Sequence, residues 1–445
     1  MSSLVIRSER VLIGGALYAA TIHVRDGVIV STGAYTDMPA GVRAIDVGAH
    51  VVMPGLVDTH VHINDPGRTD WEGFAHATRA AAAGGVTTLV DMPLNSIPAT
   101  TTVAALERKR SAADGHCYVD VGFWGGVVPG NVADLQPLAR AGVLGFKAFL
   151  SPSGVDEFRH VAETDLRAAL PVLAHEHLPL LVHAELPSYL QPVPESSDPR
   201  KYATWLDSRP PDAEVAAIGL LVCLAQASGA HVHIVHLASW DGLRLIRNAR
   251  ATGARLTVET CPHYLTFAAE EIADGATAFK CAPPIRSGTH REFLWMGLIE
   301  GQIDLIATDH SPAPPALKRL DDGNFIEAWG GIASLQLSLP VIWTGATSRA
   351  IEIGSLPRWV CEGPARLAGL QKRKGTIAAG YDADLVVWDP EALFIVDASK
   401  LEHRHAVTPY EGRRLRGRVV KTILRGEVVF DDGEFASPAG TLLRR

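Results

Sequence analysis

The stretch VVMPGLVDTHVH (residues 51–62) carries the most information about the fold of this 445-residue chain. Its apolar run leads into two histidines, His60 and His62, which stand two positions apart. On an extended strand, side chains at i and i+2 point to the same face, so both imidazoles lie on one side of the strand. Two imidazoles on one face can share a metal ion. The stretch therefore predicts a strand that ends in metal ligands.

Seven further apolar runs follow, and they are separated by stretches rich in Ala, Leu and Arg such as residues 74–83, 215–227 and 241–251. This alternation predicts strands and helices in turn, and hence a parallel sheet. Eight such repeats are the number that closes a TIM (β/α)8 barrel. The later strand candidates are TTLVDMP (87–93), VDVGFWGGV (119–127), GFKAFL (145–150), LLVHAE (180–185), HVHIVHLAS (231–239), LTVETCPHYL (256–265) and IDLIATDHSP (303–312).

The two ends of the chain have a different pattern. Residues 3–50 and about 375–435 alternate β-branched with polar residues and contain Gly and Asp-Gly turn signals. Neither end has enough strands for a stable sandwich by itself. We therefore expect an α/β protein in which residues 1–52 and 375–445 build one small discontinuous β-sandwich domain, and residues 53–374 form the barrel.

Composition excludes several classes of partner. Lys plus Arg total 41 and Asp plus Glu 49, which gives a net charge of −8, and no long basic run is present to bind nucleic acid. The N-terminus lacks the pattern of a signal peptide, and no run of about 18 apolar residues follows, so we expect a cytoplasmic protein without membrane contact. Five scattered cysteines without a CxxC pair indicate reduced thiols.

Further polar residues stand near the ends of other strand candidates. They are Lys147, His183, His236 and Asp309, on the fourth, fifth, sixth and eighth candidates. A single strand histidine is more often a packing or surface residue than a ligand. Six metal-competent residues at the carboxyl ends of five strands are hard to explain by packing, because this is where TIM barrels place their catalytic groups. The joint pattern predicts a metal centre.

Lys147 is the unusual member of this set. An ammonium group has no lone pair for a metal, and the ordinary explanation is a salt-bridged lysine or one whose ammonium reaches solvent. Buried beside two metal ions, however, the group would be driven toward the neutral amine. A neutral amine can react with carbon dioxide to give a carbamate, whose two oxygen donors can bridge two cations.

Several longer strings, in this order and spacing, resemble the cyclic amidohydrolases of the amidohydrolase superfamily over essentially the whole chain. They are PGLVDTHVH, GFKAF, VHAE, HLAS, ETCPHYL, CAPPIR and TDHSP. Within this group, INDPGRTDWEGF, MPLNSIPATT, GFKAFLSPSGVDEF and EAWGGIASLQ are most similar to the members that open the ring of allantoin. The resemblance implies hydrolysis of the cyclic amide of allantoin to allantoate in purine (ureide) catabolism.

The resemblance also implies two divalent metal ions bridged by a hydroxide and by an N6-carboxylated lysine. The ligands would be His60, His62 and Asp309 on one ion, His183 and His236 on the other, and Lys147 between them. Asp309 would be the catalytic residue, carrying a proton to the leaving amide nitrogen. Zinc is favoured, while cobalt, manganese, nickel and iron stay open. His263 and His310 are candidates for orienting the ligands. A homotetramer is the assembly that the resemblance implies.

Position 64 helps to distinguish the possible ring substrates, because dihydroorotases of this group usually carry an arginine there. Asn64 cannot supply a bidentate clamp for a carboxylate, which disfavours an acidic ring. The alternatives are a hydantoinase or dihydropyrimidinase, a dihydroorotase, and a non-catalytic homologue, which the six filled ligand positions disfavour. Turn formation is the alternative role of Asn95, Gly330 and Gly331 among the candidate substrate contacts, and a buried structural thiol is that of Cys281. These contacts are Asn64, Asn95, Ser153, Cys281, Ser311, Gly330 and Gly331.

Overall fold

The structure is a computed structural model and describes residues 3–445. Its strands are β1 (Ser3–Ile13), β2 (Ala16–Arg25), β3 (Val28–Ala34), β4 (Arg43–Asp46), β5 (Val51–Pro54), β6 (Leu56–Val61), β7 (Val86–Asp91), β8 (Asp120–Phe123), β9 (Gly125–Gly126), β10 (Phe146–Phe149), β11 (Leu180–His183), β12 (Val232–Ile234), β13 (Leu256–Thr260), β14 (Leu305–Ile306), β15 (Leu385–Ile395), β16 (Arg414–Leu424), β17 (Glu427–Asp431) and β18 (Glu434–Phe435). Its α-helices are α1 (Phe74–Ala83), α2 (Val103–Ala113), α3 (Val132–Arg140), α4 (Glu163–Glu176), α5 (Tyr202–Ser208), α6 (Pro211–Ser228), α7 (Leu243–Ala251), α8 (Pro262–Thr266), α9 (Gly288–Ile299), α10 (Ser338–Thr347) and α11 (Gly363–Leu367).

The central strands are parallel and follow one another in space as they do in the chain. β6, β7 and β8 form one sheet, and β9 to β14 form a second sheet in chain order. The amide of Leu144 donates to the carbonyl of Phe123 over 3.0 Å, which joins the two sheets. At the other side, Val61 pairs in parallel with His310 just beyond β14. These contacts connect the parallel segments in cyclic order.

The side chains on one face of these strands pack together. One apolar cluster contains Val57 of β6, Val90 of β7, Leu181 of β11 and Leu305 of β14, all nearly inaccessible to solvent. Strands that are far apart in the cyclic order therefore share one core. This packing requires a sheet that curls back on itself, as in a closed barrel.

The apolar run of residues 51–62 is two strands and not one, so that part of the sequence prediction is wrong. β5 pairs with β1 and β15, whereas β6 pairs with β7. Between them, a Cβ at Gly55 would lie 2.3 Å from the side chain of Thr87. Only glycine allows this close approach, which the sequence pattern does not reveal.

The predicted seventh strand, residues 256–265, is also shorter than expected. β13 ends at Thr260 and α8 begins at Pro262. Proline at the first position of a helix loses no hydrogen bond there, because that amide has no partner inside the helix. The CPHYL segment thus turns away from the strand immediately after its polar end.

Strands from both ends of the chain meet in a single nine-stranded sheet. Its order is β18-β17-β16-β15-β5-β1-β2-β3, with β4 paired to β1. A separate apolar cluster lies within it, including Ile6, Ile22, Val52 and Leu385. The last residues leave this sheet, since Leu442 pairs in parallel with Val121 of β8. The terminal segments are thereby fastened to each other and to the parallel strands.

Within the segment Tyr202–Ser228, an 18-residue window has a mean hydropathy of 1.2, and by length and composition alone the segment could cross a membrane. It consists of two helices, α5 and α6, with Arg209 and Pro210 between them. Inside α6, the buried Glu214 pairs with Arg286. Contacts of α6 with α4 and α7 place it in the layer of helices around the parallel strands.

Candidate active site

The first group of polar side chains lies where β6 ends. His60 Nε2 and His62 Nε2 are 3.1 and 3.3 Å from the same oxygen of Asp309, Oδ1. All three residues are buried, and their ligand atoms lie within 4.8 Å of one another. The spacing of two residues therefore brings both imidazoles to one point, as the sequence predicts. This point also receives the carboxylate from the far end of the barrel region.

A second pair of imidazoles lies beside this group. His183 Nδ1 and His236 Nε2 are 3.0 Å apart, and the rings of His236 and His60 have centroids 5.4 Å apart. His236 lies two residues past β12 with φ +40°, and Asp309 has φ +48°. Non-glycine residues in this left-handed region cost on the order of 1 kcal/mol or more and cluster at functional sites. Here this conformation occurs at two of the residues that converge on the site.

Two buried glutamates orient these histidines. His60 Nδ1 is 2.5 Å from Glu259, and His183 Nε2 is 2.7 Å from Glu185. A neutral imidazole that donates its N–H to the carboxylate has its lone pair on the other ring nitrogen. For His60 that nitrogen faces Asp309, and for His183 it faces His236. Both lone pairs consequently point into the same space, as metal ligation requires.

The sequence analysis did not identify these two glutamates. Burial by itself would raise the pKa of Glu259, but His60 and His233 outweigh it and lower the pKa to about 2. Burial likewise opposes ionisation of Glu185, yet Arg209 and His183 lower its pKa to about 2. A signal was present in VHAE and VETC, because each places an acidic residue at the end of a buried apolar run. Such a residue is ionised only where cations or donors face it.

Lys147 lies in β10 beside both groups and is fully buried. Its Nζ has no hydrogen-bond partner among the described residues. Burial lowers its pKa to about 8, against the opposing effect of Glu259 and Asp309. A buried amine without a partner is costly unless another group binds it. The unpartnered nitrogen and the converging lone pairs both fit a centre of metal ions bridged through this residue.

Among the described residues, the side chains of the two other candidate histidines make no hydrogen bond to the ligand group, although the carbonyl of His310 accepts from the amide of His62. His310 accepts a hydrogen bond from the amide of Ser334 at Nδ1, and its Nε2 lies 3.9 Å from Glu72. His263 is buried, and neither of its ring nitrogens has a partner among the described residues. Burial lowers the pKa of His263 to about 4, so its ring is neutral. An orienting role for these two residues stays a prediction.

A cavity of about 320 Å³ borders the histidines and Asp309. Six of the seven predicted substrate contacts line it, namely Asn95, Ser153, Cys281, Ser311, Gly330 and Gly331. Asn64 is not among the described residues that line the cavity. Its amide instead donates to the carbonyl of Pro312 over 3.3 Å. The structure therefore places the predicted contacts together, with the exception of Asn64.

The lining residues differ in how free their polar atoms are. Ser153 donates to the carbonyl of Phe158 over 2.5 Å, and Cys281 donates to the carbonyl of Pro283 over 3.3 Å. Burial raises the pKa of Cys281 to about 12, so the thiol keeps its proton. Asn95 is different, since its Oδ1 is buried without a partner. Asn95 is thus the lining side chain with an unused acceptor, whereas Ser153 and Cys281 also stabilise their own loops.

Two cations in the lining were not predicted. Arg209 binds Glu185 with two nitrogens, over 3.0 and 2.6 Å, so its charge is neutralised inside the site. Lys280 donates to backbone carbonyls and lies under the ring of Trp205. Asn64, from which an uncharged pocket was expected, does not line the cavity, whereas these two cations do. Long-range contacts bring these cations to the cavity, and no local motif marks them.

Comparisons with known proteins identify the family of this chain. Residues 51–429 match the amidohydrolase family. The chain is 52% identical to the allantoinase of Streptomyces avermitilis, over 99% of this chain and 98% of that protein. It is 47% identical to the allantoinase of Arabidopsis thaliana, over 98% of this chain and 89% of that protein. The solved structure of L-hydantoinase (dihydropyrimidinase) from Arthrobacter aurescens has a TM-score of 0.94 and 31% identity, with 100% of both chains covered.

Proposed function

Because this chain belongs to the amidohydrolase family, we propose that it hydrolyses the cyclic amide of allantoin to give allantoate, a step of purine (ureide) catabolism. The observation that carries the chemistry is the convergence of His60, His62 and Asp309 beside the unpartnered nitrogen of Lys147. Similarity to allantoinases over nearly the whole chain carries the choice of substrate. The chain is a metal-dependent cyclic amidohydrolase.

The proposal includes the architecture of the family. The cyclic order of parallel segments supports a (β/α)8 barrel over residues 53–374. The sheet that both chain ends share, with its separate apolar core, supports a small β-sandwich domain of residues 1–52 and 375–445. A homotetramer and a cytoplasmic location stay predictions.

Two divalent ions fit the available donors. His60, His62 and Asp309 would hold one ion, His183 and His236 the other, and carboxylated Lys147 would bridge them. Zinc is the favoured metal because imidazoles dominate the set, although cobalt, manganese, nickel and iron accept the same donors. When bound, the ions supply a water molecule of lowered pKa and polarise the scissile carbonyl.

The chain's own residues perform the remaining tasks. The Asp309 carboxylate takes up a proton from the attacking water and delivers it to the leaving amide nitrogen. Glu259 and Glu185 hold the rings of His60 and His183, so that the lone pairs stay directed inward. Asn95 offers its free Oδ1 to an N–H group of the substrate ring.

A panel of ring substrates tests the function. Steady-state hydrolysis of allantoin is compared with that of hydantoin, dihydrouracil and dihydroorotate, using protein of measured metal content. We expect kcat/KM for allantoin to exceed the others by orders of magnitude. A preference for another ring would transfer the proposal to that substrate, in line with the hydantoinase of similar fold. Absence of turnover by fully metallated protein would overturn the enzymatic proposal.

A further inference from the structure

One wall of the active-site cavity is held by a buried lysine. The wall is the segment of residues 326–331, and Ile326 and Ala328 are among its cavity-lining residues. Lys280 Nζ donates to the carbonyl of Ile326 over 2.9 Å and to the carbonyl of Ala328 over 2.6 Å. Only 5% of Lys280 is exposed. Its ammonium therefore fixes the backbone of the wall from inside the protein.

A second buried lysine holds the same wall further along. Lys318 Nζ donates to the carbonyls of Trp329 and Gly331, over 3.1 and 2.5 Å. Lys318 is also buried, but it is not among the described residues that line the cavity. The two lysines thus have the same chemistry and the same supporting role. They differ in that Lys280 lines the active-site cavity and Lys318 does not.

Lys280 retains a donor for a ligand. An ammonium group has three N–H donors, and the two carbonyls of the wall account for two of them. The ring of Trp205 lies 4.3 Å from Nζ and covers another side of the group. The third N–H has no hydrogen-bond acceptor among the described residues, and the cavity is the space that Lys280 lines.

This donor belongs to a group of residues separate from the candidate metal ligands. Nζ of Lys280 contacts the wall carbonyls of Ile326 and Ala328 and the ring of Trp205. The ligand atoms of His60 and His62 instead converge on Asp309. We therefore expect Lys280 to meet a part of the substrate other than the scissile amide.

The chemistry of the substrate matches this arrangement. Allantoin is a hydantoin ring that carries a ureido arm, and the arm has a carbonyl oxygen that accepts hydrogen bonds. With the scissile amide at His60, His62 and Asp309, the arm would extend toward the other residues that line the cavity. A charged donor in a site shielded from water binds such an oxygen more strongly than a neutral donor does.

We propose that Lys280 determines specificity by donating its third N–H to the carbonyl oxygen of the ureido arm, whereas Lys318 only holds the wall. The inference rests on the proposed function and deepens it. It explains how a site without an arginine at position 64 distinguishes a substituted ring from an unsubstituted one.

Lys280→Met and Lys318→Met test this with two substrates, allantoin and 5-isobutylhydantoin. The isobutyl arm has the branched shape of the ureido arm but no polar atom. In Lys280→Met, we expect kcat/KM for allantoin to fall about 10- to 100-fold, mainly through KM, because a hydrogen bond from a charged group is lost. The value for 5-isobutylhydantoin falls much less. Lys318→Met changes both substrates by the same factor, because it affects only the wall.

The ratio of the two kcat/KM values decides the outcome, with the inhibition constant of 5-isobutylhydantoin used where its turnover is too slow. An unchanged ratio in Lys280→Met would overturn the inference. So would a fall of the ratio in Lys318→Met as large as the fall in Lys280→Met. If Lys280→Met does not fold, Lys280→Gln, which keeps a donor for the wall carbonyls but not the charge, is judged by the same ratio. Failure of the proposed function is seen separately, as wild-type protein that does not prefer allantoin.

Discussion

Two groups of buried or partly buried residues in this protein have the composition of a metal site, yet their surroundings are opposite. The mouth cluster is His60, His62 and Asp309, and the junction cluster is Asp120, Asp382 and Asp384. In each cluster the ligand atoms lie within 4.8 Å of one another. Proximity of ligand atoms therefore does not distinguish a metal centre from another kind of site.

The junction cluster contains its own cation. Lys374 Nζ lies 2.6 Å from Asp120, 3.0 Å from Asp382 and 2.5 Å from Asp384. Arg425 also pairs with Asp120. Because Asp120 belongs to β8 and Arg425 follows β16, these ion pairs join the parallel strands to the terminal sheet. The carboxylates of the junction cluster are neutralised by the protein itself.

Among the described residues, no lysine or arginine forms an ion pair with the mouth cluster. Nζ of the nearby Lys147 has no hydrogen-bond partner within residues 3–445, and burial lowers its pKa to about 8. The imidazoles of His60 and His183 donate hydrogen bonds to Glu259 and Glu185, which leaves lone pairs facing inward. A metal centre is thus marked by donors whose neutralising charge the protein does not provide. Matched substitutions of the two lysines test this difference.

The largest effect is expected from Lys147→Met. Loss of the bridging ligand should remove bound metal and lower kcat/KM by about 1,000-fold or more, the scale typical of catalytic residues. Metal analysis and allantoin assays measure both losses, and added short-chain carboxylic acids with metal should restore part of the activity. Lys374→Met is the matched control, and this variant should keep the metal bound at the mouth cluster. Normal metal content in Lys147→Met would contradict the bridging role.

A smaller effect is expected from Glu259→Gln. The carboxylate contacts His60 with one oxygen and His233 with the other, and an amide replaces one of these acceptors by a donor. Loss of a partner that orients a ligand typically lowers metal affinity about 10- to 100-fold. Competition with a chelator measures that affinity, with the exposed Glu391→Gln as control. Equal affinity in Glu259→Gln and wild type would exclude an orienting role for this glutamate.

Lys374→Met should act on stability and leave chemistry intact. Burial opposes the charge of Lys374, but Asp384, Asp120 and Asp382 outweigh it and raise the pKa. Removing one partner from a buried ion pair costs roughly 3–5 kcal/mol, so the apparent Tm should fall by several degrees. The exposed Lys400→Met, whose partner Asp397 lies on the surface, should change stability by about 0.5 kcal/mol or less.

The pH dependence of that loss follows from the direction of the pKa shift. A raised lysine pKa gives stability that is complete below the unfolded value of about 10.4 and is lost as the pH rises through the folded value. The Tm difference between wild type and Lys374→Met should therefore stay constant from neutral pH to about 10 and shrink above it. A difference that already disappears near neutral pH would show that Lys374 does not neutralise the junction cluster.

Local patterns were sufficient for part of the site. The spacing of His60 and His62 determined that both rings share a face, and the structure places both next to Asp309. The helix Phe74–Ala83 was predicted with its observed bounds, because its alanine-rich composition favours a helix. Predictions of this kind succeed where the controlling interactions lie within a few residues of each other.

Other features depend on contacts between distant parts of the chain. The break at Gly55 exists because Thr87 approaches it, and the charge of Lys374 is held by Asp120, more than 250 positions earlier. Lys280 faces the cavity because the carbonyls of a later loop hold its ammonium. No local pattern contains this information.

The alternation of strands and helices, the terminal β segments and the residues able to ligate a metal all followed from local sequence. Periodicity, composition and donor chemistry belong to the local chain, so they can be read along it. Folding sets which buried charges are neutralised, as at Lys374, and which donors stay unpartnered, as at Lys147. The physical reason is that burial and ion pairing depend on which distant segments fold against each other, and these contacts set the energy of every charge in the interior.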